Sequence, residues 1–231
     1  MEHRVVSHEE WLKSRKQLLA KEKEFTRARD ALSEARREMP WEKVEKEYVF
    51  DTPQGKQTLA DLFAGKSQLI VQHFMFHPDW NEGCKSCSFW ADSYNGTDIH
   101  LRHRDISFVV IGRAPLPKIE AYKKRMGWSF KFISSFHTDF NFDYDVSFTP
   151  QQMAQGTTIN YGAPNKFGDE IVGVSVFYKD SSGAIYHTYS TYSRGVDILN
   201  GAYNYIDLTP KGRDEGGRTQ YWVRRHDQYE D

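Results

Sequence analysis

A chain of 231 residues with 31 basic and 32 acidic side chains carries a formal charge of −1, so no global field draws it to nucleic acid or to an acidic membrane surface. The longest apolar run, Leu69 to Phe76, is broken by Gln72 and His73 and falls far short of the roughly 20 residues that span a bilayer. The amino end is charged from Glu2 onward and offers no secretory signal, so the expectation is a soluble cytoplasmic protein with neither nucleic acid nor membrane among its partners.

Residues 8–38 are dense in charge, and Trp11, Leu18, Phe25, Leu32 and Met39 recur every seventh position. With Ser7 and Glu10 placed as a capping box and Pro40 as a stop, this predicts one long amphipathic helix with a narrow apolar stripe. The stripe can pack on the chain's own domain, or the seven-residue repeat can seat a second copy as a homodimer through this helix. Residues 1–40 are accordingly set apart as an extension.

Residues 44–50 alternate as a half-buried strand does, and Asp51 to Gly55 is turn chemistry. Thr58 then caps a short helix that Gly65 closes. Leu69–Phe76 reads as a central strand, residues 84–101 as a helix, and Ile106–Ile111 as a second buried strand parallel to the first. Pro115 and Pro117 open a helix that places Ile119, Tyr122 and Met126 on one face. Residues 128–168 read as an insertion of loops and short elements. Ile171–Tyr178 and Ala184–Thr191 then form an antiparallel hairpin, and a last helix starts near Val196. The order is strand, helix, strand, helix, strand, strand, helix. A core domain over 41–209 follows, with a polar tail over 210–231 that wraps the surface or frays.

The only two cysteines, Cys84 and Cys87, stand three apart where the first central strand hands over to a helix. Unpaired N–H groups at a helix start favour a thiolate, which lowers a cysteine pKa from about 8.5 into the range ~3.5–7.5. Cys84 is then the attacking thiolate on a partner disulfide and Cys87 the thiol that resolves the mixed intermediate. Lys85 between them adds a mobile positive charge. His73, on the strand beneath, is a candidate base for Cys87. His77 and Trp80 flank the loop, where an indole could make a platform for a peptide or small disulfide. No cofactor is required, because the cysteines carry the electrons. The partners implied are a disulfide-containing protein or small thiol or disulfide, and a recycling reductant.

That element order with a C-x-x-C pair resembles the thioredoxin fold, an α/β architecture with a central mixed sheet flanked by helices. The segments VVSHEEWLK, LLAKEKEFTRARD, PWEKVEKEYVF, LIVQHFMF, GCKSCSFWAD, KIEAYKKRMGW, HTYSTYSRG and GAYNYIDLTPKGRDE resemble the DUF899 family of thioredoxin-like proteins over nearly the whole chain. The resemblance implies a thioredoxin-like fold and a dithiol-disulfide oxidoreductase role. Two features depart from related folds. The cis-proline expected before the third core strand is missing, that stretch reading Asp169-Glu170-Ile171-Val172-Gly173. Asn81 stands where the peroxiredoxin motif needs threonine, which ranks disulfide exchange above a peroxiredoxin-like peroxidase.

Two further readings compete. Cys84, Cys87, His73 and His77 supply the atom types of a tetrahedral metal site, and the core could also serve as a redox-inactive assembly scaffold. Asp139–Asp145 starts like a calcium loop but has Tyr144 at the sixth place and Pro150 at the twelfth. His187 could approach the cysteines across the sheet, and sheet packing is the preferred reading.

Overall fold

The computed structural model describes residues 3–230, which divide at Pro40 into two units. The first is helix α1 (His8–Glu38), whose start is capped as expected: Ser7 Oγ accepts the Glu10 N–H at 3.2 Å. The second half of the capping box does not form, because the Glu10 carboxylate pairs with Arg4. Met39 turns extended ahead of Pro40, where the proline ring clashes with a helical predecessor. No side chain of α1 is buried, and its apolar stripe lies open along its length.

The second unit runs β1 (Glu42–Lys43), β2 (Val49–Thr52), β3 (Gly55–Thr58), α2 (Leu59–Leu62), β4 (Gln68–His73), α3 (Lys85–Ala91), α4 (Thr97–Arg102), β5 (Ile106–Gly112), α5 (Leu116–Arg125) and β6 (Phe132–Ser134). It continues through α6 (Phe140–Asp143), α7 (Pro150–Gln155), a small ribbon of β7 (Thr158–Ile159) and β8 (Ala163–Pro164), then β9 (Gly173–Lys179), β10 (Ile185–Tyr192) and α8 (Gly201–Ile206). Eight strands form one sheet in the order β1-β10-β9-β4-β5-β6-β2-β3. Strands β4, β5 and β6 are parallel, whereas β9 runs antiparallel to β4 and β10 antiparallel to β9. The central order β10-β9-β4-β5, with a helix after each of β4 and β5 and another after the hairpin, is a thioredoxin-like core. The β2–β3 hairpin and β6 extend it on one side.

Alternation along the strands divides the interior in two. Leu69, Val71, Val109, Ile111 and Phe177 point to one face, under α2 and Phe140. Phe74, Val110, Phe132 and Val174 point to the other, under α3, α5 and Tyr203. Cys87 belongs to the second face. The side chain of His73 belongs to the first, between Phe140 and Tyr144.

Several boundaries differ from the sequence expectation, each for a physical reason. Residues 44–48 are not strand: β1 pairs with β10 at one edge of the sheet and β2 with β6 near the other, so the chain must cross between them. The helix expected over 84–101 breaks in two at Gly96, which holds a left-handed φ of 84° that only glycine takes without strain. The insertion starts later than expected, because Phe132–Ser134 pairs with β5 as a third parallel strand; three residues are too few to show a strand period. The last helix begins at Gly201, after a 3₁₀ stretch over Ser193–Leu199. The tail wraps and does not fray: Val223 is fully buried, and Trp222 packs on the cysteine-bearing core.

Two predictions follow from this packing. A Cβ at Gly83 would sit 2.6 Å from the Phe74 ring and 2.7 Å from the Tyr122 ring. Overpacking of this kind costs roughly 1–3 kcal/mol, so Gly83→Ala should lower the melting temperature by roughly 2–10 °C in a calorimetric scan. Burial pushes the His73 imidazole down to about 3, so it is neutral in the folded chain. Its contribution is complete above the ordinary value of 6.5 and is lost as pH falls from there toward 3. Unfolding free energy measured in urea across that window should decline by up to ~1.4 kcal/mol per pH unit from this group, and His73→Gln should reduce the slope.

Candidate active site

Both cysteines are free thiols at the start of α3. The main chain of Met75, two residues past β4, holds both: its carbonyl accepts the Cys84 N–H at 3.0 Å, and its N–H donates to Cys87 Sγ at 3.4 Å. The loop between is pinned from outside. Lys118 Nζ donates to the carbonyls of Pro78 and Trp80 at 2.6 and 3.2 Å. Arg225, from the tail, donates to the Gly83 carbonyl at 2.7 Å and to the Tyr122 hydroxyl at 3.0 Å, and pairs with Glu82. Ser88 Oγ donates to the Cys84 carbonyl at 2.8 Å and shares a hydrogen bond with the same Tyr122 hydroxyl.

The two thiols are driven apart. A hydrogen bond from the Cys87 thiol, with the Cys87 and Ser86 N–H groups and the Ser86 hydroxyl behind it, pulls Cys84 down to about 6 against the opposing effect of burial. Burial and the adjacent Cys84 sulfur push Cys87 well up, and the charge of Glu170 pushes it further. One sulfur is thereby set as thiolate and the other as thiol.

Glu170 is the site residue that the sequence reading passed over. It is 2% exposed and lines the same cleft as both cysteines. Arg113 donates to Glu170 Oε1 at 2.7 Å, and Ser147 Oγ donates to Oε2 at 3.0 Å. Desolvation outweighs the Arg113 charge and these hydrogen bonds, so the carboxyl is pushed up to about 7, where a group can both take and return a proton near neutrality. It stands just ahead of β9, in the stretch where thioredoxin-like folds carry a cis-proline; the structure has no cis peptide bond among its described residues. Two signals for this site are readable in hindsight. An acid immediately precedes an apolar strand, and Arg113 follows directly on the carboxyl end of a buried parallel strand, where open α/β sheets place their sites.

The other sequence candidates lie elsewhere. His73 is on the opposite face of the sheet from Cys87 and shares a 2.8 Å hydrogen bond with Ser175, so it is not placed to take the Cys87 proton. His77 accepts the Asp79 N–H at 3.1 Å and rests beside Trp80. Neither His77, Trp80 nor Lys85 lines the cleft. Among the described residues, no group of three His, Cys, Asp or Glu side chains is arranged to hold a metal ion. His187 meets Ser190 and the rings of Tyr144 and Phe177 on the far face.

A protein-family profile described as "Bacterial protein of unknown function (DUF899)" matches residues 1–229. The chain belongs to the DUF899 family. A comparison with curated proteins finds no match. Among solved structures, the chain is similar to peroxiredoxin Q from Xanthomonas campestris at 10% identity, covering 68% of this chain and 90% of that one with a TM-score of 0.45. It is also similar to peroxidoxin BcpB from Mycobacterium tuberculosis at 11% identity, covering 73% and 98% with a TM-score of 0.44. A yeast mitochondrial 1-Cys peroxiredoxin is similar at 16% identity, covering 70% and 73% with a TM-score of 0.42. Likeness at this level says nothing of chemistry, and the fold assignment rests on the strand order of this DUF899 chain itself. No helix among its described residues is long and apolar enough to cross a membrane.

The split between the thiols is directly measurable. With iodoacetamide and peptide mass analysis, Cys84 should alkylate half-maximally near pH 6, as the thiolate is the reacting form. Cys87 should stay unmodified throughout the native pH range.

Proposed function

We propose that this DUF899 protein is a thiol-disulfide oxidoreductase. The observation that carries the reading is the placement of Cys84 and Cys87 at the start of α3, both held by the Met75 main chain and sharing a cleft with the buried Glu170 carboxyl, with Cys84 drawn down and Cys87 pushed up. The Cys84 thiolate attacks a substrate disulfide, forms a mixed disulfide and releases the first substrate thiolate, which takes a proton from solvent. Glu170, as carboxylate, takes the proton of Cys87. The Cys87 thiolate then attacks Cys84 Sγ, which closes the Cys84–Cys87 disulfide and releases the second substrate thiolate with the proton that Glu170 returns. Two electrons pass from the cysteine pair to the substrate. A dithiol reductant of the class that exchanges with protein disulfides restores the pair.

Glu170 replaces His73 as the proton acceptor in this scheme, because it faces the cleft and His73 does not. Arg113 and Ser147 are positioning residues: they hold the carboxyl and keep its ionised form accessible at neutral pH. His77 and Trp80 on the outer loop and Lys85 at the first position of α3 can contact a partner.

Stopped-flow kinetics of disulfide reduction test the scheme. Cys84→Ser should abolish turnover, and Cys87→Ser should accumulate a mixed disulfide visible by mass. Glu170→Gln should slow the resolving step by about 100-fold or more and remove the step in its pH profile near 7. Peroxide consumption that outpaced disulfide reduction in the same preparation would replace exchange with peroxide reduction as the reading.

A further inference from the structure

The cleft that holds the sulfurs has a volume of about 630 Å³, the size of a small-molecule site. One wall is built by the tail and the 3₁₀ stretch: Arg194, Asp197, Arg213 and Glu215 line the same cleft as Cys84. That wall is constructed and not incidental. Arg213 Nη1 donates to Asp197 at 3.0 Å, and Arg213 Nε and Nη2 donate to the two oxygens of Asp207 at 2.8 Å each. The guanidinium lies 3.7 Å over the ring of Tyr203, which is itself fully buried.

The charges of this wall do not cancel. Arg194 and Arg213 are both engaged by Asp197, and Asp207 takes the remaining face of Arg213. Glu215 differs. Its Oε1 accepts from the Tyr203 hydroxyl at 2.8 Å and from Trp222 Nε1 at 3.0 Å; both donors are neutral, and no guanidinium or ammonium partner is found for it among the described residues. Two neutral donors fix the direction of a carboxylate without neutralising it. Glu170, which also lines the cleft, has Arg113. The cleft therefore presents a carboxylate without an ion-pair partner among the described residues, oriented by two hydrogen bonds and lining the same cavity as Cys84.

Resting on the exchange reading above, we infer that the substrate is a low-molecular-weight disulfide bearing an ammonium group, bound with its ammonium at Glu215 and one sulfur at Cys84. A cleft of about 630 Å³ suits a molecule of that size. The exchange itself is balanced as before: one sulfur of the small disulfide joins Cys84, the other leaves as a thiol, and Cys87 releases the first.

The test uses the full-length reduced protein and four probes: cystamine, 2-hydroxyethyl disulfide, 3,3′-dithiodipropionate and insulin. Each rate constant for the small disulfides is divided by its rate with a free simple thiolate, which removes intrinsic reactivity. The expected order is cationic above neutral above anionic, with cystamine favoured over dithiodipropionate by about tenfold or more and insulin slowest. Added salt should narrow that ratio, as should Glu215→Gln, whose fold is checked by its melting temperature. If Glu215→Gln does not fold, the salt dependence of the unaltered protein carries the test. A ratio of one or less, a ratio that salt does not change, or insulin reduced fastest overturns the inference and leaves the exchange reading in place. If the protein forms no internal disulfide even with oxidised dithiothreitol, the exchange reading falls and this inference falls with it.

Discussion

The main chain of Met75 is the hinge on which this site is built. Its carbonyl and its N–H reach the two cysteines, so the first turn of α3 is tied to the end of β4 by groups that carry no side-chain identity. A backbone clasp of this kind works only if β4 ends where it does and the loop after it returns to the same place. The core secures both conditions. Phe74 and Phe76 are buried on either side of Met75, and Gly83 leaves room for the Phe74 and Tyr122 rings directly before Cys84. The external pins from Lys118 and Arg225 hold carbonyls of the same loop. Geometry around the sulfurs is thus set by core packing and main-chain hydrogen bonds together, which is the usual requirement for holding reactive groups within fractions of an ångström.

Electrostatics then separates the two sulfurs. A carboxyl buried beside them would cost several kcal/mol if it stood ionised and alone. Arg113, itself largely buried and 5.0 Å from the Phe142 ring, offsets enough of that cost to leave Glu170 balanced near neutrality and not locked in one form. The charge of Glu170 in turn raises Cys87 and favours its protonated form. On the other face of the sheet His73 shows the contrasting outcome. Desolvation without a compensating charge leaves it neutral, bound to Ser175 through one nitrogen and with Nδ1 unpartnered.

The tail gives the cleft its other wall. Arg213 bridges Asp197 and Asp207 over Tyr203, and further on Arg225 and Asp227 engage the cysteine loop and Arg125. A polar segment whose regular structure is one short 3₁₀ turn over His226–Gln228 is ordered here because its charges and two of its apolar side chains find specific partners, which repays the conformational entropy of fixing it.

Much of this was legible from the chain alone. The seven-residue repeat and Ser7 delimit α1, apolar runs reveal β4 and β5 as buried strands, and two isolated cysteines before a helix mark the candidate site. Those features are local: each is carried by residues within a few positions of one another. Tertiary structure decided the rest, because it depends on which faces and which distant segments meet. A strand period of two says that His73 and Phe74 point to opposite sides, but not which side the cysteines will occupy. Glu170 lies 83 positions from Cys87 and Glu215 lies 131 from Cys84, and no spacing rule links them. What brings them together is the antiparallel insertion of β9 beside β4 and the return of the tail across the cleft, and only there do desolvation and charge act on the sulfurs.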